Sequence, residues 1–178
     1  MKKKIAKLLL VSLLGIFTLP SFAQNKFHVA IDYHYLFGLS EKGSYNISRK
    51  DSKMYGNSLH LTALYNFTSQ ITGGLGLGAD RYESPGYNTF PIYASLQYSF
   101  LRHLPNIYTY SNIGYAFINK NDTYSGLTWD LGCGYKKMIR SHFGYNLNIG
   151  YNLKQIEKVV DNDNNTRHSL SFGFGVIF

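Results

Sequence analysis

The chain has 178 residues, of which 16% are charged, whereas soluble globular domains carry about 25% charged residues. Four lysines within the first seven residues supply half of the formal charge of +8, so the remainder of the chain carries only +4, a surplus too small for a nucleic-acid-binding domain. Cys133 is the single cysteine, which excludes an intramolecular disulfide.

The N-terminal segment has the pattern of an export signal. Basic residues precede an apolar stretch over residues 8–19, and Ser21 and Ala23 place small residues at the positions that specify cleavage. This pattern predicts a secretory signal peptide of residues 1–23, followed by a mature domain of residues 24–178 that begins at Gln24. The apolar stretch is shorter than the roughly 20 residues of a transmembrane helix, and position 24 is not a cysteine, so we expect neither a retained anchor nor a lipid attachment.

Beyond residue 23 the chain alternates with a period of two, which is typical of β-strands. Each alternating run has the length of a strand tilted across a bilayer, about 9–11 residues. The eight runs cover residues 27–37, 59–67, 71–80, 90–100, 107–117, 127–136, 143–153 and 169–178. The fifth run is irregular, because Tyr108 and Tyr110 differ in parity from Ile113 and Phe117, so we predict a strand there without assigning its faces.

The connections between the runs alternate in length. Longer polar segments over 38–57, 83–89, 118–125 and 155–166 follow the odd runs, and shorter segments over 68–70, 101–106 and 136–141 follow the even runs. Bacterial outer-membrane barrels have long extracellular loops and short periplasmic turns. We therefore predict that the four longer segments are extracellular and that both ends of the domain lie on the periplasmic side.

The composition of the two faces decides between a soluble and a membrane-embedded sheet. A solvated sheet face is expected to carry lysine and glutamate, whereas the polar face of these runs carries mostly glycine, serine, asparagine and threonine. Small residues suit the crowded interior of a barrel of about eight strands, and tyrosine and phenylalanine gather near the ends of the apolar face, as in a membrane-interface girdle. The sequence therefore predicts an all-β fold, an eight-stranded antiparallel transmembrane β-barrel built as an up-and-down meander.

The last eight residues place Ser171, Gly173, Val176 and Phe178 in the order polar, glycine, apolar and terminal aromatic. This ending resembles the assembly signal of bacterial outer-membrane barrels, and the whole mature chain resembles the OmpA/OmpX-like family of small barrels. The resemblance implies an integral outer-membrane location, insertion by the barrel-assembly machinery, and no periplasmic domain after Phe178. It constrains function less, because its members include adhesins, structural proteins and lipid-modifying enzymes.

Five ionisable residues fall on the inner face by parity: Asp32, His34, His60, Asp80 and Asp130. Histidines beside carboxylates are compatible with acid–base catalysis or with a metal site. We expect instead a lumen polar cluster, a hydrogen-bonded plug in which the buried groups neutralise one another. We accordingly predict no catalytic residue, no metal and no cofactor.

Two further patterns are weaker indications of chemistry. Residues 74–79 partly match a dinucleotide-binding fingerprint, but the period-two pattern continues through them, whereas the fingerprint requires a turn into a helix. We interpret these glycines as lumen-facing gaps that let large side chains such as Tyr93 fit across the barrel. Lipid A deacylases with this fold pair a histidine with a serine two residues later, whereas here Leu170 follows His168 at that spacing and Thr62 follows His60.

The first long loop is net positive, because Lys42, Arg49, Lys50 and Lys53 outnumber Glu41 and Asp51. This basic patch could reach the phosphates of lipopolysaccharide or an acidic surface partner that the sequence does not identify. We predict a structural or surface-interaction role through loops 38–57 and 155–166, without enzymatic activity. The alternative is a lipid A-modifying enzyme acting at the outer rim, and a pore is disfavoured because eight strands leave little open lumen.

Overall fold

The computed structural model describes residues 26–101, 103–120, 122–140, 143–160 and 163–178, without side-chain detail for 158–160. The predicted signal peptide lies outside the described residues. Among the described residues, no helix has the length and apolar character needed to cross a membrane.

The described chain forms one antiparallel sheet that closes on itself. Its strands are β1 (Phe27–Lys42), β2 (Ile47–Ser48), β3 (Tyr55–Asn66), β4 (Ile71–Glu83), β5 (Tyr87–Thr89), β6 (Pro91–Tyr98), β7 (Ile107–Ala116), β8 (Gly126–Arg140), β9 (Phe143–Val160) and β10 (Asp163–Ile177). The wall follows the order β1, β3, β4, β6, β7, β8, β9, β10, and β10 pairs with β1, while β2 and β5 are short additions. The predicted eight-stranded up-and-down barrel is therefore confirmed.

The two faces of the wall are inverted relative to a soluble protein. Outward side chains are large and apolar, such as Leu75, which is 68% exposed, and Ile149. Inward side chains are polar and buried, such as Thr62 and Ser169, the latter fully inaccessible. A wall with an apolar exterior and a polar interior is the arrangement of a barrel that spans a lipid bilayer.

The closing seam joins the two ends of the described chain. Backbone hydrogen bonds of 2.9 and 2.8 Å link Val29 and Phe178, and the register then continues from the Ala30–Ile177 pair up to the Lys42–Thr166 pair. Ser171 is buried inside, whereas the exposed Phe178 ring lies 5.9 Å from the Phe143 ring on the outer wall. The inward Ser171 and the outward Phe178 agree with the alternation of the two faces from which the assembly signal was predicted.

The structure assigns the faces of the irregular strand β7. Tyr108 and Tyr110 are buried inside, while Ile113 is exposed outside. The reason lies on the neighbouring strand, where Gly134 and Gly132 are the direct partners of these two tyrosines. A side chain at Gly134 would collide with the Tyr108 ring, and one at Gly132 would collide with the backbone of β9 and with the Tyr110 hydroxyl, so the glycines create the space that large inward tyrosines require.

The glycine-rich segment of β4 works in the same way, with one correction. Tyr93 is the direct partner of Gly76 on the adjacent strand β6, and its ring covers that glycine. The sequence interpretation had this ring reaching across the barrel. The ring is instead accommodated by its neighbour, which keeps it close to the wall.

The predicted extracellular loops are too long at the expense of the strands. β1 extends through 38–42 and β3 begins at Tyr55, so that only residues 43–54, including β2, remain of the first loop. β9 and β10 likewise occupy nearly all of 155–166, and β8 continues through most of the predicted periplasmic turn 136–141. Beyond the bilayer, on either side, the outward residues need not be apolar. Strand pairing therefore continues where the apolar–polar alternation used for the prediction has ended.

Candidate functional site

The barrel interior is the most densely polar part of the molecule. The structure places all five residues of the predicted lumen polar cluster inside the barrel, with exposed fractions below 10%: Asp32 6%, His34 6%, His60 7%, Asp80 5% and Asp130 8%. Their strands, β1, β3, β4 and β8, present them at similar heights. Buried ionisable groups are costly unless paired, so their partners determine what the cluster can do.

His60 and Asp80 form the one direct ion pair within this cluster. His60 Nε2 lies 3.1 Å from Asp80 Oδ1, and the other carboxylate oxygen accepts a hydrogen bond of 3.0 Å from Thr89. The His60 ring also lies 5.1 Å from the rings of His34 and Tyr93. The dyad is thus enclosed by side chains rather than open to a substrate.

The other members of the cluster have neutral partners. Asn146 donates a hydrogen bond of 2.7 Å to Asp32, and Asn152 donates one of 2.5 Å to Asp130. His34 Nδ1 lies 3.1 Å from the Ser171 hydroxyl. The cluster is therefore divided into small hydrogen-bonded groups rather than joined in one histidine–carboxylate network.

A buried lysine that the sequence analysis did not select completes the charge balance. Lys154 is fully buried, its ammonium has no hydrogen-bond partner among the described residues, and its charge interacts with Asp80 and Asp130. Its inward direction follows from the parity of β9, since Asn152 also points inward. The sequence interpretation stopped this strand at Leu153 and so missed it.

A second polar layer lies further toward the extracellular end. Between the layers, along their strands, is a buried apolar group of Leu36, Tyr82, Tyr87 and Ile156. Above it, Arg167 Nη1 lies 3.6 Å from Glu41 Oε2, and both side chains are completely buried. Arg167 Nη2 also donates to the backbone carbonyls of Tyr55, at 3.0 Å, and Glu83, at 2.8 Å. The arginine thereby joins β10 to the outer ends of β3 and β4.

Glu41 also hydrogen-bonds to residues of three other outer segments. Its Oε1 accepts hydrogen bonds from Tyr45 at 2.8 Å, Tyr87 at 3.0 Å and Asn165 at 2.9 Å. The two tyrosine hydroxyls also lie within hydrogen-bonding distance of each other, and since each phenol has one proton, only two of these three hydroxyl contacts are donated at once. Burial raises the pKa of Tyr45 to about 12 and raises the pKa of Tyr87 as well, so both phenols remain protonated donors at neutral pH. The network joins residues of β1, the first loop, β5 and β10 at the outer end of the lumen.

A small cavity lies inside the described barrel. One cavity of about 30 Å³ adjoins the lumen cluster, lined among others by Asp32, His60, Tyr93 and Tyr108. Since one buried water needs about 10–15 Å³ by this measure, the cavity admits very few waters. No group of three or more described histidine, cysteine, aspartate or glutamate side chains is arranged to hold a metal ion.

The predicted basic patch of the first loop is divided in the structure. Lys42, Lys50 and Lys53 are exposed. Arg49 instead folds back, with its guanidinium 3.4 Å from the centre of the Phe37 ring and Nη1 donating to the carbonyls of Gly38, at 3.2 Å, and Met54, at 2.6 Å. Arg49 therefore joins the base of the loop to β1 and to Met54.

The loop surface is more positive than its sequence suggests. Glu41 points inward and is fully buried, and Asp51 accepts hydrogen bonds from the Ser48 backbone at 2.9 Å and the Ser48 hydroxyl at 2.6 Å. These hydrogen bonds lower the pKa of Asp51. One of the two acidic residues that the sequence analysis set against the basic patch is thus removed from the surface.

A polar pair lies on the outer wall beside this loop. His168 faces outward, because its neighbours Arg167 and Ser169 are completely buried inside. Its Nδ1 hydrogen-bonds to the Tyr151 hydroxyl, and its direct partner across the seam is Ser40. The deacylase spacing of histidine and serine on one strand is absent here, as the sequence analysis noted.

Comparisons with known proteins identify the fold and leave the function open. No family model and no curated protein matches the chain. Neisserial surface protein A is similar in structure, with 17% identity, 85% coverage of this chain, 95% of the other and a TM-score of 0.50. OprG from Pseudomonas aeruginosa (15% identity, 86% and 96% coverage, TM-score 0.43) and Ail of Yersinia pestis (11%, 84% and 99%, TM-score 0.42) are more distant.

The likeness to Neisserial surface protein A confirms, at the level of the fold, the predicted resemblance to small outer-membrane barrels. The apolar outer wall has the surface that this fold presents to lipid. The chain is therefore an integral outer-membrane β-barrel.

Proposed function

We propose that this barrel has a structural and surface-interaction role, carried by its extracellular surface, and that its lumen is a closed polar plug. The observation that carries the proposal is the Glu41–Arg167 ion pair, in which both side chains are completely buried at the outer end of the lumen. Together with the lumen polar cluster it fills the interior with paired groups. A filled interior leaves the outer surface as the part of the protein that can meet a partner.

The way in which the first loop is held supports this role. Glu41 binds Tyr45 at the start of the loop, and Arg49 binds the carbonyl of Met54 at its end. A loop fixed at both ends loses less conformational entropy on binding than a free one. The exposed Lys50 and Lys53, in the returning part of the loop between Arg49 and Met54, favour an acidic partner on the cell surface or beyond it.

A binding measurement tests the proposal. Cells that display the wild-type protein should adhere to a surface coated with a sulfated polysaccharide more strongly than cells displaying Lys50→Gln/Lys53→Gln. Lys120→Gln, which removes an exposed charge from a different outer loop, serves as the matched control and should leave adhesion unchanged. Equal adhesion of all three strains, at equal surface amounts, would contradict the interaction role of the first loop.

The enzymatic alternative has a direct test of its own. Purified protein in lipid vesicles is incubated with lipopolysaccharide, and the lipid A is read by mass spectrometry. We expect an unchanged acyl pattern, because the buried His60–Asp80 pair is enclosed by side chains. Removal or addition of an acyl chain would replace the binding role with a catalytic one.

A further inference from the structure

The outer limit of the lipid-facing wall is well defined at the closing seam. On β10 the outward residues change from Phe172 and Leu170, which are 45% and 37% exposed, to His168. On β1 they change from Phe37 to Ser40, the residue paired with His168, and then to Lys42. Apolar contacts therefore give way to hydrogen-bonding and cationic groups within one residue pair, as expected where acyl chains end and lipid headgroups begin.

Cationic groups lie on both sides of this boundary, one on β1 and one directly after β2. Lys42 is exposed two residues beyond Ser40. Ser40 also pairs with Ser48, and the next residue, Arg49, lies over the outward ring of Phe37. Both hydrogen bonds of Arg49 to the described protein use Nη1, which leaves Nε and Nη2 available to another acceptor.

The His168–Tyr151 pair adds hydrogen-bonding groups at the same level. Tyr151 is 39% exposed on the outer wall and its hydroxyl contacts His168 Nδ1. Polar groups on a lipid-facing wall are costly unless they have a partner. Nε2 of the imidazole remains as a second polar atom at the headgroup level.

Nearby carboxylates balance this charge only in part. Glu41 is turned into the barrel, whereas Asp51 stays ionised at the surface, where it is bound to Ser48 within its own turn. On β9, Glu157 accepts hydrogen bonds from Tyr115 at 2.8 and 2.7 Å and from Ser125 at 2.9 Å, on the side of β9 away from the seam. A cationic rim above an apolar wall is complementary to an anionic headgroup attached to acyl chains.

We propose that Lys42, Arg49, His168 and Tyr151 form a rim site that binds a phosphate of an outer-leaflet glycolipid. Lysine and arginine supply charge-assisted hydrogen bonds to phosphate oxygens. The acyl chains of the same molecule lie on the apolar wall below, along Phe172 and Leu170. The proposal rests on the outward role of the first loop, but it uses Lys42 and Arg49 together with residues of the outer wall rather than Lys50 and Lys53.

The test measures how tightly the barrel retains the glycolipid. Full-length mature protein is placed in phosphatidylcholine nanodiscs containing a small fraction of a bisphosphorylated glucosamine glycolipid, and co-purified glycolipid is counted by native mass spectrometry. The wild-type protein should retain the phosphorylated form about tenfold better than the dephosphorylated form, a ratio equivalent to about 1.4 kcal/mol. Lys42→Gln/His168→Gln should remove most of this preference.

Controls separate the site from general charge and from folding. Lys120→Gln, the same charge change on another loop, should retain the wild-type preference. Lys42→Gln alone alters an exposed residue at a strand end, so it should lower retention without affecting folding even if the double variant folds poorly.

Three results would overturn the rim site. They are equal retention of phosphorylated and dephosphorylated glycolipid, the same loss in Lys120→Gln as in Lys42→Gln, or equally tight binding of the deacylated, water-soluble bisphosphorylated disaccharide. The third would assign the phosphate to a soluble source. Lys50→Gln/Lys53→Gln should keep glycolipid retention, so failure of the rim site and failure of loop adhesion are distinguishable.

Discussion

Removing Glu41 should destabilise the barrel more than any single change at its surface. Its carboxylate is fully buried, faces Arg167 at 3.6 Å and accepts three hydrogen bonds from Tyr45, Tyr87 and Asn165. Hydrogen bonds to a charged group contribute about 1.5–3 kcal/mol each and are not additive, and breaking a buried ion pair costs about 3–5 kcal/mol. Because Arg167 keeps its carbonyl partners, we expect Glu41→Ala to cost about 3–5 kcal/mol rather than the sum of these contributions.

A double-mutant cycle measures the ion pair itself. Urea unfolding in lipid vesicles, followed by the fluorescence of the outward-facing Trp129, gives the free energy of unfolding for Glu41→Gln, Arg167→Met and the combination. Glu41→Gln keeps a hydrogen-bond acceptor but leaves the buried guanidinium uncompensated, so the double variant should be more stable than the two single costs predict, by about 0.5–3 kcal/mol. Strictly additive costs would refute the claim that Glu41 and Arg167 stabilise each other.

Four further predictions concern the wall, the interior and the N-terminus. Leu147→Arg, on the lipid-facing side, should cost about 2–4 kcal/mol and depend on lipid chain length in refolding titrations; independence of bilayer thickness would reverse the assignment of faces. Asp130→Ala should cost about 3–5 kcal/mol by the same assay, because the buried Lys154 loses one of its counter-charges. A cost below about 1 kcal/mol would mean that water reaches the site and screens the charge. Gly134→Val should displace the ring of Tyr108 and prevent formation of the heat-modifiable folded band on gels, whereas normal folding would reject the proposed role of this glycine. Intact-mass analysis of membrane-extracted protein should show Gln24 as the first residue, and retention of the preceding 23 residues would contradict the predicted signal peptide.

Strand number, pairing direction and the facing of most side chains could be predicted, because a bilayer forces outward residues to be apolar. This constraint predicted an inward direction for Asp32 and His60, which the structure buries. It failed on β7, where Tyr108 is large and apolar yet points inward. The deciding feature, Gly134 on the next strand, becomes visible only once the register between the strands is known.

The outer polar layer could not be predicted for a different reason. A register shift between Gly38 and Ser40 changes the parity of β1, so counting from Leu36 does not place Glu41 inside. Arg167 lies beyond the bilayer, where the outward residues are no longer apolar and the pattern resembles a loop. The Asp130–Asn152 hydrogen bond also depends on the register of β8 and β9. The inward direction of Lys154, in contrast, could have been predicted by extending the alternation of β9 one residue beyond Leu153.

Solute flux through the protein tests the central claim most directly, namely that a closed polar plug fills the lumen. Liposomes containing the purified barrel are diluted into an isotonic solution of a small sugar, and their swelling is followed by light scattering. The wild-type protein should swell at the rate of protein-free liposomes. Swelling of the wild-type protein at the rate of an open porin would contradict the closed lumen and the surface role that depends on it.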